Sequence, residues 1–163
     1  IDPKALWLNS QHLRTMPINV LAPLVKESLI EHGLSPSGDE SFFEHVVDTI
    51  RTRFSVLTDF STKGRAYFSD DYVIEPQALD KLNAPGAREL LRELADRIAA
   101  HPEFTEASVE ADLRKLAEER AVKAGVLINA SRAALTGQPV GPSAFAVFTC
   151  IGRDRVIERL RKA

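Results

Sequence analysis

The residue types that most often carry out chemistry are few and scattered in this sequence. The four histidines, at positions 12, 32, 45 and 101, have no second His, Cys or carboxylate at a metal-ligand spacing. Cys150 ends an apolar run before Gly152, which favours a buried structural thiol over a nucleophile. Asp70 and Asp71 are adjacent and should point apart, so a turn or cap role is favoured over a shared proton. The sequence therefore predicts no catalytic residue and no metal site.

Sequence motifs with a known mechanism are also missing. The chain has no Walker-type phosphate loop, no Gly-x-Gly-x-x-Gly and no serine in a nucleophile elbow. From the residues alone, no reaction can be assigned. A binding role is the remaining interpretation.

One segment, residues 129–145, has a composition suited to recognition. It joins a helix end, a Gly/Pro loop and a new helix start, and its glycines let backbone N–H groups approach a ligand closely. Arg132 lies about one turn before the helix end, so its guanidinium can reach over the loop. This arrangement suits phosphates or exposed base edges. The residues alone favour the simpler alternative, a helix hairpin with a glycine C-cap.

The net charge of −2 gives no hint of a nucleic-acid partner, but the charge is unevenly distributed. Two segments, 51–65 and 152–163, carry more basic than acidic residues. They could lie on one face and attract phosphates. Solvated helix faces are the more common explanation of such runs, and on charge alone this explanation is favoured.

The elements that would position these residues are helices, because the hydrophobic period is helical along almost the whole chain. Helix starts are predicted at Asp2-Pro3, Pro17, Pro76, Pro85 and Thr105. Helix ends are predicted at Gly33, His101-Pro102, Gly137 and Gly152. No strand pattern of useful length is present. We expect an all-α fold, a two-part helical bundle with subdomains 1–70 and 71–163.

Composition excludes several protein classes. Of the 163 residues, 44% are hydrophobic and 27% are charged, which is typical of a soluble globular chain. The longest apolar stretch, 144–151, is too short to span a bilayer, so no membrane association is expected. The start lacks a signal-peptide pattern and is not Met, so we expect part of a longer gene product. The single cysteine favours a reducing, cytoplasmic location.

Five segments, in order, resemble the anticodon-binding region of bacterial glutamyl-tRNA synthetases. They are Lys4-Ala-Leu-Trp7-Leu-Asn9, Arg51-Thr-Arg53-Phe-Ser-Val-Leu-Thr-Asp-Phe60, Tyr67-Phe68-Ser-Asp-Asp71-Tyr72, the Arg132-Ala-Ala-Leu-Thr-Gly137 helix end with Gly141-Pro142-Ser-Ala-Phe145, and Gly152-Arg153-Asp-Arg155-Val156. Each segment is a weak signal alone, but their order and spacing fit the family along the whole chain. The resemblance identifies the chain as a member of this family.

The resemblance implies an all-α, two-part region of the α-helix cage type that grips the anticodon stem and loop. In this family an arginine matching Arg53 contacts the first anticodon base, and one matching Arg132 contacts later bases. Residues matching Gly141, Pro142 and Ala144 lie against the same bases. Subdomain 1–70 would be the first anticodon-binding part, and 71–163 would contact the anticodon loop. Gly141 stands where the family sometimes has a threonine, so a hydroxyl contact is lost.

The resemblance also implies what the chain does not contain. The two ATP-binding signatures of this enzyme class, one like His-Ile-Gly-His and one like Lys-Met-Ser-Lys-Ser, are missing from the sequence. We therefore expect no catalysis and no cofactor in this chain. ATP and Mg²⁺ would belong to a catalytic domain outside it. The expected partners are tRNA(Glu) and that catalytic domain, and a monomer is expected.

Two alternatives remain open at this point. The helical anticodon cage of class I lysyl-tRNA synthetases resembles the same region. A helical protein-interaction module with no RNA role would instead show an exposed apolar groove in place of the two arginines, and no salt-dependent binding of tRNA.

Overall fold

A computed structural model describes residues 10–36 and 38–163. Over these residues the regular secondary structure is helical throughout, with no β-strand, which confirms the predicted all-α fold. The predicted helix start at Asp2-Pro3 and the segment Lys4 to Asn9 lie outside the described residues. Among the described helices, none has both the length and the apolar character needed to cross a bilayer.

The chain divides into two compact units, Ile1–Tyr72 (the first unit) and Val73–Ala163 (the second unit). The roles assigned to subdomains 1–70 and 71–163 stay a prediction. The described helices of the first unit are α1 (residues 10–15), α2 (Ile18–Glu31), α3 (Glu40–Ile50), a 3₁₀ turn (Arg51–Arg53), α4 (Asp59–Thr62) and α5 (Arg65–Phe68). Those of the second unit are α6 (Pro76–Leu82), α7 (Ala87–Ala100), α8 (Glu106–Glu119), α9 (Ala124–Thr136), α10 (Ala144–Ile151) and α11 (Arg153–Lys162).

The core of the first unit forms where α2 packs against α3. The two helices bury apolar side chains at helical spacing: Leu21, Val25, Leu29, Phe43, Val46, Val47 and Ile50. The carboxylate of Asp39 caps α3 by accepting the Phe42 N–H at 2.7 Å, which satisfies one of the unpaired donors at the helix start. This packing fixes the C-terminal end of α3, from which the 3₁₀ turn Arg51–Arg53 continues.

The turn between the 3₁₀ segment and α4 is held by a buried carboxylate. One Asp59 oxygen accepts the backbone N–H groups of Ser55 at 2.9 Å and of Val56 at 3.2 Å. Asp59 is only 8% exposed, and its other oxygen lies 3.9 Å from Lys63. The short helices α4 and α5 follow from this turn and place Phe60, Tyr67 and Phe68 inside.

The second unit is a bundle in which α7 packs against α8, α9 and α11. The predicted cap at Thr105 is confirmed as a capping box, in which the Thr105 and Ser108 side chains each accept the other residue's backbone N–H. The predicted helix start at Pro85 is wrong, because α7 begins at Ala87. Gly86 intervenes in the left-handed conformation, at φ +75°, so Pro85 belongs to the preceding turn.

Ion pairs on the surface join α7 to α8. Arg97 bonds the carboxylate of Glu119, and this hydrogen bond lowers the pKa of that carboxyl below its ordinary value. Arg120 bonds Glu93, and this contact raises the pKa of the Arg120 guanidinium. Both pairs lie at the surface with partly exposed side chains, so they contribute modestly and weaken in salt.

Candidate nucleic-acid interface

The structure brings together three of the predicted site residues on the second unit. Nη1 of Arg132, which is half-buried on α9, donates to the carbonyl oxygen of Pro142 at 2.5 Å. A Cβ built on Gly141 would lie 3.3 Å from the same Nη1 atom. The guanidinium is therefore fixed over the loop that joins α9 to α10, as the sequence predicted. Its orientation is set before any ligand arrives, which lowers the entropic cost of binding.

The end of α9 is closed by groups that hold Arg132 in register with the loop. The Thr136 hydroxyl donates to the carbonyl of Arg132 at 2.9 Å and accepts the Gln138 N–H at 3.2 Å. Gly137 ends the helix in the left-handed conformation, at φ +72°, and its N–H donates to Ala133 at 2.8 Å. The predicted helix end at Gly137 is confirmed.

A segment that sequence reasoning missed, residues 73–75, supports this helix end from outside. The Glu75 N–H donates to the Gly137 carbonyl at 2.8 Å. A Cβ on Gly137 would lie 2.2 Å from the Val73 carbonyl oxygen, closer than any real contact allows. Position 137 therefore needs glycine both for its backbone angle and for this approach. The only sequence signal for this approach is Gly137 itself, and the sequence indicates only a helix cap there.

The rest of the loop presents backbone and one apolar side chain. Ala144, the first residue of α10, is only 6% exposed, so its methyl group packs inward. Val140 is 70% exposed at the loop and was not singled out from the sequence. A ligand at this loop would meet Val140, the backbone around Gly141 and the guanidinium of Arg132.

Arg53 lies in the first unit, exposed on the 3₁₀ turn that follows α3. Other basic residues of segment 51–65 are engaged. Arg51 donates to the Met16 carbonyl at 2.5 Å and pairs with Asp48 at 2.8 Å, and Arg65 bonds the Asp71 carbonyl at 2.6 Å. Within residues 10–36 and 38–163, no hydrogen bond or ion pair joins another residue to the Arg53 side chain. The described structure thus leaves the Arg53 guanidinium available to a ligand.

The second basic segment, 152–163, largely stabilises its own unit. Arg153 donates to carbonyls at the end of α7, including that of Ile98 at 3.1 Å, and so caps that helix. Buried Arg159 donates to the Leu135 carbonyl at 2.7 Å, and Arg161 pairs with Asp96 at 3.0 Å. These three arginines hold α11 against its neighbours, which argues against a phosphate-binding role for them.

The adjacent carboxylates and the histidines form no metal centre in the described part of the chain. Asp71 closes a turn: its N–H donates to the Ser69 hydroxyl at 3.1 Å and its carboxylate pairs with Arg65 at 3.3 Å. This confirms the turn role predicted for Asp71. Across the described ranges, no three His, Cys, Asp or Glu residues cluster in a way that could hold a metal ion.

Comparison with known proteins identifies the family of this chain. The model of the family described as anticodon binding domain matches residues 20–163. The chain is 44% identical to glutamate–tRNA ligase 2 of Koribacter versatilis and 42% identical to glutamate–tRNA ligase of Desulfotalea psychrophila, over 99% of its own length in both cases. It covers 34% of each relative, so it spans about a third of their length.

The fold also matches a solved structure. The crystal structure of a glutamate tRNA ligase from Elizabethkingia meningosepticum superposes with a TM-score of 0.84, at 23% identity, over 98% of this chain and 31% of that one. At this identity the match establishes a shared fold. Since the family model covers most of the sequence, the chain belongs to the anticodon binding domain family.

Proposed function

We propose that this chain is the anticodon-recognition part of a glutamate–tRNA ligase and that it binds the anticodon loop of tRNA(Glu). The observation that carries the proposal is the fixed guanidinium of Arg132 over the Gly141–Pro142 loop. The relatives described above are glutamate–tRNA ligases, which favours this reading over the lysyl alternative.

Arg132 is proposed to read anticodon bases. Because Nη1 is held by the Pro142 carbonyl, the planar guanidinium has a defined orientation at the loop. Unstacked bases in a loop expose acceptor edges that such a donor can distinguish. Pro142, the backbone around Gly141 and the start of α10 at Ala144 would form the wall against which these bases rest.

Arg53 is proposed to contact the first anticodon base. Its exposed side chain stands on a turn fixed by Arg51, which bonds both Met16 and Asp48. Because no carboxylate among the described residues competes for the Arg53 guanidinium, replacing its bound water by a base edge has a small free-energy cost. This division gives each unit one base-reading arginine.

The chemistry of such a ligase is proposed to lie outside this chain. A catalytic domain would bind ATP and Mg²⁺ and attach glutamate, while this chain supplies recognition and has no catalytic activity of its own. We further propose that the chain acts as a monomer in the cytoplasm.

The test is a binding titration with an RNA hairpin that carries the tRNA(Glu) anticodon. Arg53→Ala and Arg132→Ala should each weaken binding by about 1–3 kcal/mol, the usual discrimination from one good base contact. Arg92→Ala is the matched control, since Arg92 is an exposed arginine on α7, outside the proposed site.

The control variant should bind within a factor of about two of the unmodified chain. Circular dichroism of each variant checks that the helices are intact. Equal affinity of all three variants and the unmodified chain would reject the site, and absence of salt-dependent binding would reject the function.

A further inference from the structure

A cation–aromatic pair lies beside the candidate loop and has no role in the interface described above. The guanidinium carbon of Arg114, on α8, stands 5.9 Å from the ring centroid of Phe145. Phe145 is the second residue of α10, and it follows Pro142, the residue that Arg132 bonds, by three positions. Since α8 packs against α10, the pair extends the surface of the loop onto a second helix.

The geometry leaves much of the Arg114 guanidinium available. Its side chain is 54% exposed, and Nε donates to the Glu110 carboxylate at 2.8 Å. Among the residues that the structure describes, no other hydrogen bond reaches this side chain. Glu110 and the Phe145 ring thus orient the guanidinium, and in the described part of the chain no hydrogen bond engages its terminal nitrogens.

These donors suit a phosphate better than a base. A planar guanidinium with free terminal nitrogens matches two phosphate oxygens at once. Phe145 offers little room for base stacking, because it is only half-exposed and its ring already stacks near that of Phe148, at a centroid distance of 6.3 Å. The ring therefore supports the cation.

We propose that Arg114 binds a backbone phosphate of the anticodon stem-loop and positions the RNA for reading by Arg132; this inference rests on the proposed function. A phosphate contact fixes register without reading sequence. Its loss should weaken binding to every anticodon equally. Loss of a base contact, in contrast, changes the preference between anticodons.

The experiment measures RNA-hairpin affinity against salt concentration for the full chain. In Arg114→Gln, the slope of log affinity against log salt should shrink in magnitude by about 0.7–0.9, the value of one phosphate contact. Affinity at low salt should fall several-fold, and equally, for hairpins with the tRNA(Glu) anticodon and with an exchanged anticodon. Arg114→Lys, which keeps the charge, should keep most of the slope.

Lys115→Gln is the matched control, because it removes an exposed cation from the next position of the same helix. It should leave the slope unchanged. If Arg114→Gln behaves like this control while the unmodified chain binds the hairpin, the inference is overturned and the proposed function stands. A change in anticodon preference in Arg114→Gln would indicate a base contact and also overturn it. If the unmodified chain shows no binding, both fail.

Discussion

Replacement of Gly137 by alanine should destabilise the second unit far more than an ordinary surface change. The left-handed backbone at φ +72° costs a residue with a Cβ about 1–2 kcal/mol. The new methyl group would overlap the Val73 carbonyl, at 2.2 Å, so residues 73–75 must move. That movement breaks the hydrogen bond from Glu75 to Gly137, for about another 1 kcal/mol. The two terms together should cost about 2–3 kcal/mol.

Gly86→Ala separates the cost of the left-handed backbone from the cost of the overlap with a neighbouring carbonyl. Gly86 is in the same unit with nearly the same backbone angle, φ +75°, but a Cβ there would meet nothing within 4 Å. It should cost only the backbone term of about 1–2 kcal/mol. Urea unfolding followed by circular dichroism gives both values. If the two variants lose the same free energy of unfolding, the close approach of residues 73–75 to Gly137 is not as described.

Three further changes test the packing. Asp59→Ala leaves two backbone N–H groups without their acceptor and should lower the free energy of unfolding in urea by about 2–4 kcal/mol. Asp59→Asn keeps an oxygen acceptor and should lower it less. Equal losses of free energy in the two variants would contradict this role of Asp59. Thr105→Ala removes a helix cap and should cost about 1 kcal/mol; no change in midpoint would refute the cap's contribution. Because Arg97 lowers the pKa of Glu119, the stabilisation from this ion pair is lost as the pH falls and the Glu119 carboxylate takes up a proton. Glu119→Gln should therefore flatten the dependence of the urea unfolding midpoint on acid pH. An unchanged dependence would contradict the pairing.

Local signals predicted much of the fold. Pro76 at a helix start, the cap at Thr105 and the helix end at Gly137 each depend on the few residues around them, so the sequence is enough to locate them. The start of α7 was misplaced at Pro85, since proline suits a first helical turn and also a turn that precedes one. The difference of two residues comes from Gly86, whose left-handed angle cannot be read from its neighbours.

Contacts between distant residues could not be predicted in the same way. Arg51 bonds the carbonyl of Met16, and Arg153 bonds carbonyls at the end of α7, across many residues of chain. A count of charges treats these arginines and Arg53 alike. Only the packed structure distinguishes a cation that holds helices together from one that stays available to a ligand, and this distinction separates Arg53 from Arg51.

The most direct test of the account compares two RNA hairpins that differ only in the anticodon. The unmodified chain should bind the hairpin with the tRNA(Glu) anticodon at least about fivefold more tightly than one with the tRNA(Lys) anticodon, since each wrong base costs about 1–3 kcal/mol. Both titrations are run at the same salt concentration, because salt alone shifts both affinities. Equal affinities would contradict recognition of the glutamate anticodon, and a preference for the lysine anticodon would support the lysyl alternative.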